Sequence, residues 1–217
     1  MNRTILLAGA TSAAGLAVAR ALIEAGATAI ATGRSAERLA PLADAGARVE
    51  VADATSLTDM TELAERVGAV DGVVSLVGGW RGGGGLAGQS DEDFDALLPA
   101  LQAVRATSRA FDASIRASDA GRFAIVSSTV VNKPLAGGAN YATVKAAAET
   151  WARAVAQGYA KAARDAGTDL HAASVIFRVE GALDVDSLAR AVIALWDADA
   201  ADLNGRVVDL APAVRPA

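Results

Sequence analysis

Short apolar runs alternate with longer amphipathic stretches along the whole chain. The apolar runs lie at Thr4–Ala8, Ala27–Thr32, Arg48–Val51, Gly72–Val77, Arg122–Ser127, Leu170–Ile176 and Arg206–Leu210. Most are continuous instead of alternating, the pattern of parallel strands covered on both faces. Between them the spacing of apolar positions predicts helices over 14–25, 35–44, 57–66, 91–118, 139–165 and 184–197. Asp91 and Asp184 stand at N-cap positions, and Gly26, Gly46, Gly68 and Gly167 follow helices where a left-handed C′ residue belongs. Regular strand–helix alternation with right-handed crossovers implies an α/β fold, a doubly wound, mostly parallel seven-stranded sheet with helices on both faces. No linker, repeat or composition break divides the 217 residues, so one domain over 1–217 is expected. Residues 78–88 form the one low-complexity stretch, rich in glycine.

Composition removes several classes of chemistry. The net charge of −5 argues against nucleic acid, which needs a basic face. With no cysteine there is no disulfide framework, thiolate metal site or cysteine nucleophile. A single histidine, His171, leaves little room for zinc or a Ser-His-Asp triad, and reads as a strand residue satisfied in the fold. The apolar residues 5–8 run directly into glycine, so they read as a first strand instead of a signal peptide. No run approaches the roughly 20 apolar residues of a membrane span. A cytoplasmic protein with a small-molecule partner is the expectation.

The first strand runs into Ala8-Gly9-Ala10-Thr11-Ser12-Ala13-Ala14-Gly15, and a helix follows. Small residues there let the backbone approach a pyrophosphate, and the helix N-terminus offers N–H groups to the negative charge. Gly9, Thr11, Ser12, Ala14 and Gly15 are the candidate contacts of a Rossmann-type dinucleotide site. The second strand ends at Thr32-Gly33-Arg34-Ser35, without the acidic residue that would bind a ribose 2′-hydroxyl. Arg34, with Ser35 and Arg38, suits a 2′-phosphate instead, which favours NADP(H) over NAD(H). The other reading of Arg34 is a solvated residue opening a helix. Asp53 closes the third strand, where it either meets the adenine amino group or caps the turn through Ala54-Thr55-Ser56.

Tyr141 and Lys145 lie four apart near the start of a long helix, on one face. Phenol, with a pKa of about 10, moves protons poorly near neutrality; a neighbouring ammonium stabilises the phenolate. Ser128 ends the fifth strand thirteen residues before the tyrosine, at the carboxyl edge where open α/β sheets bind ligands. Alternation along the strand sends Ser127 to the other side.

The order and spacing of Gly9/Gly15, Asp53, Ser128, Tyr141 and Lys145 resemble the short-chain dehydrogenase/reductase family over nearly the whole chain. Asn140 and Leu203-Asn204-Gly205 are also similar to family habits. The resemblance implies hydride transfer between a nicotinamide and a carbonyl or alcohol. Tyr141 would be the general acid/base, Lys145 would lower its pKa and bind the ribose, and Ser128 would orient the substrate. It further implies a homodimer or homotetramer built on the helices over 91–118 and 139–165.

Departures from the family pattern are specific. Ala13 and Ala8 stand where glycine and threonine are usual, and Ser75-Leu76-Val77-Gly78 replaces Asn-Asn-Ala-Gly. The helix asparagine is missing, with Leu101 or Gln102 at its site; Pro99 is expected to disturb that helix and free a carbonyl near Asp95. Val175-Ile176 replaces Pro-Gly, and only Phe177 to Val185 is left for a substrate lid. The stretch from Val77 to Gly83 is similar to dihydropteridine reductases, which makes a pteridine one candidate substrate. Trp80 is expected either to stack on a flat heterocycle or to anchor the loop, and Arg81 to meet an anionic group. Trp151 and Tyr159 are expected to pack in the core or against another subunit. The competing function is an NADP(H)-binding scaffold or redox sensor with little catalysis. An epimerase or dehydratase is a third reading, for which the chain leaves no room for a C-terminal substrate domain.

Overall fold

Each of the seven apolar runs forms a strand in the computed structural model, which describes residues 2–211. Residues 1 and 212–217 of the expected unit lie outside the described residues. The strands are β1 (Thr4–Ala8), β2 (Thr28–Gly33), β3 (Arg48–Val51), β4 (Gly72–Ser75), β5 (Gly121–Ser128), β6 (Ala172–Val179) and β7 (Val207–Leu210). The helices are α1 (Ala13–Glu24), α2 (Ala36–Asp44), α3 (Leu57–Val67), α4 (Asp91–Ala110), α5 (Asp112–Ala117), α6 (Ala139–Ala166), α7 (Val185–Ile193) and α8 (Ala200–Leu203). The sheet order is β3-β2-β1-β4-β5-β6-β7 and every strand pairing among the described residues is parallel. Winding reverses between β1 and β4, which opens a crevice at their carboxyl ends.

Strand alternation sorts the core into two layers. Leu7, Ala31, Val175 and Phe177 face α1 and α7, while Leu6, Ile30, Phe123 and Ile125 face α3, α4 and α6. Burial on both faces is why these strands carry apolar residues at successive positions. Serine hydroxyls start four of the helices. Ser12, Ser35, Ser56 and Ser90 each accept from the N–H three residues on.

Several boundaries differ from expectation for local reasons. Ser90, not Asp91, caps α4, and Asp91 lies in the first turn, where its charge complements the helix dipole. The expected helix over 91–118 breaks at Phe111, whose ring is buried in the core while its backbone ends α4 and opens α5. Pro99 does not break α4. β6 starts at Ala172 and runs on to Val179, because Phe177 and Val179 are buried and Arg178 between them has a buried partner. Only residues 180–184 therefore join β6 to α7. His171 precedes the strand and is exposed; its carbonyl accepts from Arg122 Nη1 at 3.0 Å. Helix α7 ends at Ile193, and the following 3-10 turn turns Leu195 O toward Arg122 Nε at 2.7 Å. Trp151 and Tyr159 both pack into the core layer under α6.

Candidate active site

The turn after β1 is built by two hydrogen bonds to one acceptor: Gly9 N and Ala10 N donate to Thr32 O at 3.1 and 2.9 Å. Gly9 has φ +76°, and a Cβ there would lie 2.4 Å from Val77 Cγ2. At Gly15 a Cβ would lie 2.0 Å from Ala10 O, so glycine lets α1 pack against its own entry turn. The Gly15 N–H donates to Ser12 Oγ at 3.3 Å. Ala13 and Ala14 open the helix, and their N–H groups have no partner within it.

Gly9, Thr11, Ser12, Arg34, Asp53 and Gly78 line a cleft of about 240 Å³ at the switch point. Arg34 is exposed at its rim, Ser35 caps α2, and Arg38 Nη2 reaches Thr11 O at 3.4 Å. Asp53 Oδ1 accepts from Thr55 N at 2.9 Å and Thr55 Oγ1 at 2.8 Å, the turn-capping role. Asp53 also lines the cleft, so capping does not remove it from the site.

A second cavity of about 330 Å³ shares Ser12, Leu76, Val77 and Gly78 with the first and adds Ala14, Trp80, Tyr141 and Lys145. Lys145 is buried, its Nζ 5.6 Å from the centre of the Tyr141 ring and donating to Val126 O at 2.8 Å. Burial pulls its pKa down to about 8, against the opposing charge of Glu149. Burial pushes the Tyr141 phenol above its ordinary value, and the Ser128 hydroxyl beside it works the other way. Ser128 is buried at the strand end, donating to Val179 O at 3.2 Å and accepting from Val130 N at 3.4 Å. Ser127, expected to face away, lines the cavity wall, although its hydroxyl is committed to Glu149 Oε1 at 2.7 Å. Trp80 is 66% exposed while lining the cavity, which is not the burial of a loop anchor. Arg81 lies 3.8 Å from Asp93.

Sequence reasoning missed Glu149. It is fully buried on α6, one turn after Lys145, and accepts from Ser127, Arg153 and, through both oxygens, Arg178. Burial pushes its carboxyl up; Arg178, Ser127 and Arg153 outweigh this and hold it below the usual carboxylate range. An acidic residue on the inward face of a helix, at the i+4 spacing from Lys145, was the available signal.

The sequence model of the short chain dehydrogenases matches residues 3–163. The chain belongs to this family. As a short chain dehydrogenase it is an oxidoreductase of an NAD(P)-using group. No curated protein matches the sequence. Among solved structures it is similar to a protein described as a short chain dehydrogenase from Shigella flexneri 2a str. 301 complexed with NADP. The TM-score is 0.83 and the identity 21%, covering 96% of this chain and 97% of that one. A gluconate 5-dehydrogenase from Burkholderia cenocepacia J2315 in complex with NADP and tartrate gives a TM-score of 0.80 at 22% identity, covering 96% and 94%. A short chain dehydrogenase from Salmonella enterica subsp. enterica serovar Typhi str. CT18 gives 0.79 at 21%, covering 96% of each chain. At these identities the likeness is one of fold. In this short chain dehydrogenase Leu101 packs into the core and Gln102 is exposed.

Proposed function

We propose that the chain is an NADPH-preferring reductase of a small carbonyl or imine-like substrate, with Tyr141 as its general acid/base. One observation carries the reading: Tyr141 and Lys145 share a cavity that opens, at Ser12 and Gly78, into a cleft shaped for a nucleotide. The cleft fits the group, because glycines stand where any Cβ would collide and cationic side chains gather at the β2 end. Arg34, Ser35 and Arg38 would hold a 2′-phosphate, Asp53 would meet the adenine, and the α1 N-terminus, with Gly9, Thr11, Ser12, Ala14 and Gly15, would meet the pyrophosphate. NADP-bound neighbours of the same fold support this choice. When bound, the nicotinamide supplies or accepts the hydride.

The residues of this chain handle the proton. Ser128 orients the substrate oxygen, and Tyr141 Oη gives it a proton. The Lys145 ammonium stabilises the phenolate left behind and binds the ribose hydroxyls. Trp80, with an exposed face, offers a stacking surface for a flat substrate such as a pteridine, and Arg81 an anionic contact. A homodimer or homotetramer on α4 and α6 completes the reading. The missing helix asparagine, with Leu101 or Gln102 at its site, favours the second reading of an NADP(H)-binding scaffold or redox sensor.

Loss of NADPH absorbance over a panel of aldehydes, ketones, quinones and a quinonoid dihydropterin separates the two. Turnover with at least one panel member is expected, and Tyr141→Phe should reduce it by about 10²–10⁴-fold with NADPH binding retained. Tight NADPH binding without turnover on any panel member would sink the enzymatic reading.

A further inference from the structure

Helix α6 carries both Tyr141 and Lys145, yet its own N-cap, Gly138, has no side chain to close the first turn. The cap comes from another loop. Gln89 Oε1 accepts from Asn140 N at 3.1 Å, serving a first-turn N–H as a serine hydroxyl does in four other helices, though at the second position after the N-cap instead of the third. The same amide group reaches back through Nε2 to Gly83 O at 3.0 Å, Gly85 O at 3.3 Å and Gly137 O at 3.1 Å. Asn140 Nδ2 donates to Ser90 O at 2.9 Å, and Gly83 N donates to Gly137 O at 2.7 Å.

The glycines of this loop have stereochemical work. Gly84 and Gly85 both have φ +66°, and a Cβ on Gly88 would sit 2.7 Å from Gly84 Cα. A Cβ on Gly82 would lie 2.5 Å from Gly137 O, so the loop is packed directly against the segment leading into α6. Residues 78–89 are therefore a folded element, although their composition reads as low complexity. Trp80 projects from it into the cavity with Tyr141.

We infer that Gln89 is a positioning residue that locks the glycine-rich loop and the N-terminus of the catalytic helix into one unit, fixing Trp80 and Tyr141 relative to each other. The loop then forms one wall of the cavity, to which Gly181 and Leu183 of the short connection 180–184 also contribute. The catalytic consequence rests on the reading of Tyr141 as acid/base; the conformational consequence does not.

Two variants read the two ends of the latch in the full chain. Trypsin cleavage after Arg81 reports the loop, and amide hydrogen exchange at Asn140 reports the helix end. Gln89→Leu loses both ends and should speed both processes by about tenfold, the scale set by one or two hydrogen bonds. Gln89→Glu keeps an acceptor for Asn140 N, and its charge suits a helix N-terminus, but it cannot donate to the three carbonyls. It should therefore speed cleavage after Arg81 while leaving Asn140 protected. Should the reductase turn over, Gln89→Leu should also lower kcat for a panel substrate while the Kd for NADPH stays constant. A Gln89→Leu protein that melts normally and shows wild-type cleavage and exchange would overturn the latch. If that variant does not fold, wild-type cleavage after Arg81 in Gln89→Glu would overturn it equally. Absence of turnover in the wild type, with the conformational pattern intact, would remove the reductase reading and leave the latch standing.

Discussion

Burial strips water from the Lys145 ammonium and brings its pKa to about 8, while Glu149 one turn away works in the opposite direction. Below that pH the lysine is charged and can stabilise a Tyr141 phenolate; above it the charge is lost. Tyr141, whose pKa burial raises, stays protonated throughout that range and remains a proton donor. The rate of carbonyl reduction should therefore be level below about pH 8 and fall above it. Lys145→Arg keeps its charge across the range, so its kcat/KM profile should lose that descending limb even where its rate is lower. A limb at the same pH in both proteins would show that Lys145 is not the group titrating. At this scale the sequence pointed to Tyr141 and Lys145, which line one cavity, and was silent about their support. A tyrosine and a lysine four apart on a helix are ordinary by themselves, and Ser128 thirteen residues upstream is what singles them out. Gln89 is an ordinary amide whose role exists only because two loops distant in sequence meet.

Elements join through the buried Glu149, which ties α6 to β5 by Ser127 and to β6 by Arg178. Removing a partner of such a pair leaves an uncompensated charge and costs about 3–5 kcal/mol. Glu149→Gln should accordingly lower the urea midpoint strongly at pH 7. Because the folded carboxyl titrates below its ordinary value, its contribution is present above the usual carboxylate range and is lost as pH falls through the folded pKa. The stability gap between wild type and Glu149→Gln should narrow on acidification; a gap independent of pH would exclude the carboxylate as its source. Legibility at this scale followed burial. β1 falls where the apolar pattern ends it, since burial decides both pattern and strand, whereas β3 is an exposed edge strand whose bounds owe nothing to burial. The end of β6 was missed because Phe177 to Val185 reads as a lid in one dimension, whereas Arg178 finds the buried Glu149 only in three. The break at Phe111 was missed because its cause, a ring turned into the core, leaves the helical period intact.

The sheet as a whole places the two halves of the site on either side of its switch point. Gly9, Arg34 and Asp53 come from the β1-β2-β3 half, while Gly78, Tyr141 and Lys145 come from the half beginning at β4. A ligand touching both halves binds only the assembled sheet, so it stabilises the fold by mass action. At a concentration of 100 times its Kd the gain is about 2.7 kcal/mol. With about 2–4 °C per kcal/mol for a chain of this size, NADP+ should raise Tm by roughly 5–11 °C. The proposed preference for NADP+ rests on Arg34 at the open end of the cleft. A charge-assisted phosphate contact contributes about 1.5–3 kcal/mol, so Arg34→Asp should weaken NADP+ about tenfold to a hundredfold. NAD+, which carries a hydroxyl at that position, should bind Arg34→Asp at least as well as the wild type. Thermal melts of both proteins with both nucleotides test the point together. A larger shift with NADP+ than NAD+ in the wild type, reversed in Arg34→Asp, is expected. Equal shifts in all four combinations would leave the nucleotide site in place and remove Arg34 as the residue that chooses between the cofactors.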